Sequence, residues 1–74
     1  MVVVNVLIQV EAGKVWEACK AIESIDGVMR ANVVTGPYDV IAYAELPSTE
    51  DVRRLMQSVH DVDGVSRTET CIAI

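Results

Sequence analysis

The sequence predicts an α+β domain with the element order βαββαβ, and three observations predict it. The segment Ile25-Asp26-Gly27-Val28-Met29-Arg30 returns as Val62-Asp63-Gly64-Val65-Ser66-Arg67, 37 residues later in a chain of 74, so the fold is two copies of one unit. Each copy passes in the same order from an apolar, β-branched run to a helical i, i+4, i+7 spacing. A Gly then follows each helix where a left-handed residue commonly ends one, a conformation that costs Gly little because it has no Cβ.

Taken in order, Val2 to Val10 is interrupted only by Asn5 and Gln9 and reads as a central strand buried on much of both faces. From Ala12 to about Ser24, Val15, Cys19 and Ile22 form an apolar stripe, with Lys14, Glu17, Lys20 and Glu23 on the other side. A strand from Val28 to about Thr35 follows, then a turn at Gly36-Pro37, then a strand from Asp39 to Leu46. Ser48 and Asp51 carry a helix-start signal for a second helix reaching about Asp61. Its apolar positions Val52, Leu55, Met56 and Val59 match Val15, Ala18, Cys19 and Ile22 at the same offset, so the repeat covers the whole chain. The last strand, Val65 to Ile74, alternates polar and apolar residues as an edge strand does.

Two βαβ units with right-handed crossovers close as a ferredoxin-like, split βαβ domain with a four-stranded antiparallel-type sheet. Strands one and three are expected at the centre, parallel to each other. Both helices would cover one face and leave the other bare. Strand one offers Val4, Val6 and Ile8 on one side and Val3, Asn5, Leu7 and Gln9 on the other, and parity does not say which meets the helices. Either choice exposes more contiguous apolar surface than monomers usually tolerate, so two copies are expected to pair sheet to sheet as a dimeric α+β barrel.

Size and charge point the same way. A single domain of 74 residues, 51% apolar and without a disulfide framework or metal-ligand cluster, has a marginal core of its own, and self-association is the expected stabiliser. A net charge of −5 with only six Lys and Arg supplies no basic stripe for phosphates, which argues against direct nucleic-acid binding. No apolar run approaches a membrane span, and Met1-Val2-Val3-Val4-Asn5 lacks the basic start of a signal peptide, so a soluble cytoplasmic protein is expected. Cys19 and Cys71 lack CxxC spacing and are expected as free thiols in the core, with no metal and no cofactor.

What is needed only for folding recurs in both halves, so the unequal parts should hold the function. The main one is the hairpin Val33-Val34-Thr35-Gly36-Pro37-Tyr38-Asp39. Gly36 and Pro37 suit a turn, but a phenol and a carboxylate at a strand's entrance, Tyr38 and Asp39, also suit a ligand ammonium while nearby amides take a carboxylate. With the Gly-Val after the first helix, this run resembles the effector-binding module of leucine- and asparagine-responsive transcription regulators, the Lrp/AsnC family, over essentially the entire chain. Its most specific part is Gly-x-Tyr-Asp, Gly36 to Asp39.

The resemblance implies sheet-paired dimers, assembly into rings such as octamers, and a small effector, typically an amino acid, where dimers meet. It places the effector loop on Thr35, Gly36, Pro37, Tyr38 and Asp39, with Gly36 permitting close backbone approach, Tyr38 walling the pocket and Asp39 accepting from the α-ammonium. Thr68 and Thr70, beside Glu69, are similar to the segment that reaches the effector across subunits. Because Met1 opens directly on strand one, the chain resembles the stand-alone module without a helix-turn-helix, and neither DNA binding nor direct transcriptional control carries over. The resemblance also offers full-length regulators of the family as a partner.

Other residues have plainer readings. Trp16, matched by Arg53 in the other half, is either an interface anchor or partly buried on the helix flank. His60, the one imidazole, stands near a helix end with no partnered nucleophile, and no catalytic role is assigned. Arg30 and Arg67, kept in both copies, read as structural ion pairs with Asp26, Asp63 or Glu69. Two other functions fit the same fold: an ACT-like amino-acid sensor, which would place its ligand by Gly13, and a small dimeric barrel enzyme of the monooxygenase type. The second is disfavoured by the plain Val, Ile, Leu and Met facing the helices.

Overall fold

In the computed structural model, which describes residues 1–74, strand β1 (Val2–Val10) buries every second side chain. Val4, Val6, Ile8 and Val10 are inside, and Val3, Asn5, Leu7 and Gln9 stand half-buried on the opposite face. Strand β3 (Val40–Leu46) does the same, with Val40, Ala42, Ala44 and Leu46 inside and Ile41, Tyr43 and Glu45 outside. The all-apolar set of each strand meets the helices; the set holding Asn5, Gln9, Tyr43 and Glu45 forms the open face. Only one face of β1 is fully buried, not much of both.

Helix α1 (Val15–Glu23) presses Ala18 and Ile22 onto the sheet, and α2 (Glu50–His60) presses Leu55 and Val59. With the inward residues of β1 and β3 and with Ala31 of strand β2 (Val28–Val33), these make one core of 13 buried residues. Val15, Cys19, Val52 and Met56 pack half-buried against it, so the two stripes match position by position in burial. At α2, the reach-back half of the expected cap forms: the Ser48 amide donates to Asp51 Oδ2 at 3.2 Å. The Ser48 hydroxyl also donates to that oxygen, at 3.1 Å, instead of accepting from a helix amide.

The sheet order is β2-β3-β1-β4, with strand β4 (Val65–Ile72) at one edge, as its alternation required, and β2 at the other. Every neighbouring pair is antiparallel. Strands one and three are central as expected but run antiparallel, with Val6 opposite Ala42, which corrects the expected parallel pair. The crossover through α1 sets β2 parallel to β1 with a gap one strand wide. The hairpin then returns β3 into that gap antiparallel to both.

The duplication reaches detail that the hexapeptide did not reveal. Met29 and Ser66, equivalent in the repeat, are the extra residues at the two register shifts of the sheet. Gly27 and Gly64 share φ values of +92° and +93°. The central strands, however, correspond at an offset of 34 residues: Val10 and Ala44 stand opposite the equivalent Val65 and Val28, and the Glu11 and Glu45 amides donate to the equivalent Gly64 and Gly27 carbonyls.

Some expectations for single residues are corrected. Trp16 is 76% exposed, not partly buried on its helix flank. Cys19 packs half-buried against the core, but Cys71 is exposed on β4; both are free thiols. Neither repeated Arg is ion-paired: the ion pair that forms joins Lys14 Nζ to Asp63 Oδ2 at 3.4 Å, and Arg30 lies over the Tyr43 ring, 4.3 Å from its centroid.

Candidate functional site

The hairpin between β2 and β3 is built as an extension of the β1 ladder. The Asp39 amide donates to the Ile8 carbonyl at 2.9 Å, and the Val34 amide donates to the Asp39 carbonyl at 2.9 Å. Beyond Asp39 the β3 backbone turns away, and the last amide of β1, that of Val10, donates instead to Asp39 Oδ2 at 2.8 Å in a half-buried setting. Gln9 Nε2 donates to the Pro37 carbonyl at 3.0 Å. The loop is therefore tied to β1 by side chains from both directions.

Each predicted residue now has a place. Thr35, Gly36 and Pro37 form the exposed tip, and Tyr38 and Asp39 are half-buried at its base. Gly36 has φ +115°, and no atom lies within 4 Å of where a Cβ would be, so within one chain it serves the turn and not a close approach. Asp39 spends one carboxylate oxygen on the fold. The other makes no hydrogen bond within the chain.

Tyr38 lies toward β4. Its phenol titrates above the ordinary tyrosine range, first because it hydrogen-bonds the Glu69 carboxylate, then because of desolvation and the Glu69 charge; the Arg67 charge works the other way. Tyr43, further along the open face, is raised for the same leading reason, since its hydroxyl donates to Glu45 Oε2 at 2.9 Å. Glu69→Gln should therefore lower the Tyr38 pKa toward its ordinary value, read as phenolate absorbance against pH. An unchanged titration would mean the carboxylate is not its partner.

Thr68 and Thr70 lie elsewhere. They stand opposite Ile8 and Val6 in the ladder and so share the helix side of the sheet. Thr68 Oγ1 is 2.9 Å from His60 Nε2, and Thr70 Oγ1 donates to Met56 Sδ at 3.0 Å. Within one chain, then, the two threonines lie on the helix side of the sheet, and the hairpin's side-chain bonds run to Gln9 and Val10 of β1. Alternation along β4 puts Arg67 and Glu69, opposite Gln9 and Leu7, on the other face.

The larger concavity of the chain, about 460 Å³, lies at the far end of the sheet, between the turn at Ser24, Asp26 and Gly27 and the start of α2 at Asp51 and Arg54. The smaller, about 230 Å³, lies between α1 and Val62-Asp63. No hairpin residue lines either. The hairpin is a polar rim on an open sheet face, and a single chain makes no pocket there.

Order, layering and rim define a ferredoxin-like domain with one helix-covered face and one open face. The chain belongs to the Lrp/AsnC ligand binding domain family, whose sequence model matches residues 3–74. An HTH-type transcriptional regulator of Pyrococcus abyssi is 33% identical over 67 residues, covering 90% of this chain and 46% of that protein. A regulator of the same description from Pyrococcus furiosus is 49% identical over 41 residues, 55% of this chain and 28% of that one. The chain spans about half the length, or less, of the curated relatives it matches. Among solved structures, TTHA0845 from Thermus thermophilus superposes with a TM-score of 0.95 at 33% identity, over 100% of this chain and 94% of that one. E. coli AsnC superposes with a TM-score of 0.88 at 25% identity, over 99% of this chain and 50% of that one. No helix is long and apolar enough to cross a membrane.

Proposed function

We propose that this chain is an effector-sensing and oligomerisation module, not an enzyme, that binds an amino acid or similar small molecule in the cytoplasm and works only as an assembly. Two copies pair through their open sheet faces, dimers join into a ring such as an octamer, and the effector lies where dimers meet. Thr35 to Asp39 supply one wall of that site, and Thr68 and Thr70 of a neighbouring chain supply another. The state of the ring is then read by a protein partner, for which full-length Lrp/AsnC regulators are the natural choice.

The observation that carries this reading is the position of the polar hairpin on the rim of an open face centred on Val3, Leu7, Ile41 and Tyr43, each half-buried by its own sheet neighbours alone. Contiguous apolar surface of this kind marks an interaction site. A ligand on the rim touches one chain on one side only, so sensing and assembly become one event. The test is a thermal-shift screen of the twenty amino acids with molar mass measured beside it. The wild-type chain should be oligomeric and should rise in Tm with at least one amino acid. Leu7→Lys places an unpaired ammonium at the centre of the paired sheets, where charge is costly, and should give a monomer that no longer responds. A monomeric wild-type chain at micromolar concentration would overturn sheet pairing, and a flat screen would overturn sensing.

A further inference from the structure

We propose that the larger concavity, between the turn at Ser24 to Gly27 and the start of α2, binds a primary alkylammonium group on Asp26 and Asp51. It is separate from the hairpin, and the other half of the chain shows what such a place holds. Every residue that lines the smaller concavity has its equivalent, 37 positions away in the repeat, lining the larger: Asp63 is answered by Asp26, Lys14 by Asp51 and Glu17 by Arg54. The two concavities are one position in the repeated unit. In the second half that position is filled from within the chain. The Lys14 stem crosses Gly64, so that a Cβ there would stand 2.9 Å from Lys14 Cβ and 3.0 Å from its Cδ, and the ammonium reaches Asp63 Oδ2 at 3.4 Å. An alkyl stem thus lies beside Ala18 and Val62, with its charge on an aspartate.

In the first half no side chain takes the part of Lys14. Asp51 stands at its position, turned back to accept from the Ser48 amide at 3.2 Å and the Ser48 hydroxyl at 3.1 Å through one oxygen, Oδ2. The concavity is accordingly about 460 Å³ against about 230 Å³. Its lining keeps both features that hold Lys14. Ile25, Leu46 and Leu55 supply apolar surface for a methylene stem, with Leu46 lying over Gly27 so closely that a Cβ there would stand 2.6 Å from Leu46 Cδ2. Asp26 is exposed and in no ion pair, and Asp51 keeps a second oxygen, while Glu45 is engaged by the Tyr43 hydroxyl. Arg54, one turn along α2, forms an ion pair with none of them. Two carboxylates against one guanidinium leave an excess negative charge that a single ammonium balances.

The test titrates the full chain, followed by the amide resonances of Asp26 and Gly27, with three probes: a lysine blocked at both backbone ends, the norleucine compound blocked in the same way, and butanediamine. The blocked backbone carries no charge, so none of the three resembles a free amino acid. Both ammonium probes should shift those resonances, and the norleucine compound, with the same stem and no charge, should not. Asp26→Asn should weaken binding by about fivefold, and Asp63→Asn, which breaks only the Lys14 pair, should leave it unchanged. Asp51→Lys supplies the ammonium from the chain itself, as Lys14 does in the other half, and should abolish the response. Tighter binding of the blocked lysine would give the site to a lysine of a protein partner, and tighter binding of the diamine to a free amine; either upholds it. No shift with either ammonium probe, an equal response to norleucine, or equal loss in Asp26→Asn and Asp63→Asn would overturn the site and leave the effector reading untouched.

Discussion

Gly64→Ala is expected to be among the most destabilising single-methyl additions this chain can receive, costing about 2 to 5 kcal/mol. Two costs add there. At φ +93° an L side chain is strained by about 1 to 2 kcal/mol. The new Cβ would also stand 2.9 Å from Lys14 Cβ and 3.3 Å from Val10 Cγ1, atoms close to the backbone that cannot swing away. At roughly 0.05 to 0.15 kcal/mol per residue, a domain of this length has little to spare.

The other glycines make a graded control. Gly27→Ala carries the same strain at φ +92°, but its Cβ meets Leu46 Cδ2, the far end of a flexible side chain, so its cost should be intermediate. Gly36→Ala has φ +115° and open space around it, leaving strain alone. Urea midpoints should therefore fall in the order Gly36→Ala, Gly27→Ala, Gly64→Ala, with Gly64→Ala losing most. If Gly64→Ala and Gly36→Ala lose the same amount, packing of the repeated turn against Lys14 and Val10 is not what the second glycine is for.

The repeat explains why so much of the fold was legible. Helix stripes, glycine stops and the hairpin are local patterns, and each helix stripe and glycine stop occurred twice. The strand directions were not local: β3 is antiparallel to β1 because of the gap left by a crossover, which no residue in either strand records. Parity did leave a trace, since Asn5 and Gln9 share one set in β1, and the polar members of a half-apolar strand point to the open face. An open face that itself holds Val3, Leu7 and Ile41 blurs that contrast. In the site, Thr35 to Asp39 stood out because the other half has no equivalent. The bonds that shape it, Gln9 to Pro37 and Val10 to Asp39, span 28 and 29 residues and had no local signature.

Asp39 is where fold and function compete, and two substitutions separate them. Its carboxylate takes over as acceptor for the Val10 amide once the β3 backbone turns away, so Asp39→Ala leaves a half-buried N–H without a partner. That loss should cost about 1 to 3 kcal/mol, which in a domain of this size lowers Tm by roughly 5 to 15 °C. Asp39→Asn keeps a carbonyl oxygen that can accept from the same amide while removing the charge, so its Tm should stay within about 4 °C of wild type. On the effector reading, an ammonium loses its charged acceptor equally in both variants, and the ligand-induced rise in Tm should shrink in Asp39→Asn as much as in Asp39→Ala. A ligand response kept in Asp39→Asn but lost in Asp39→Ala would give Asp39 a purely architectural role, holding the hairpin in place. An Asp39→Ala chain as stable as wild type would instead show that the Val10 amide finds another partner, and that the hairpin is not held by this bond.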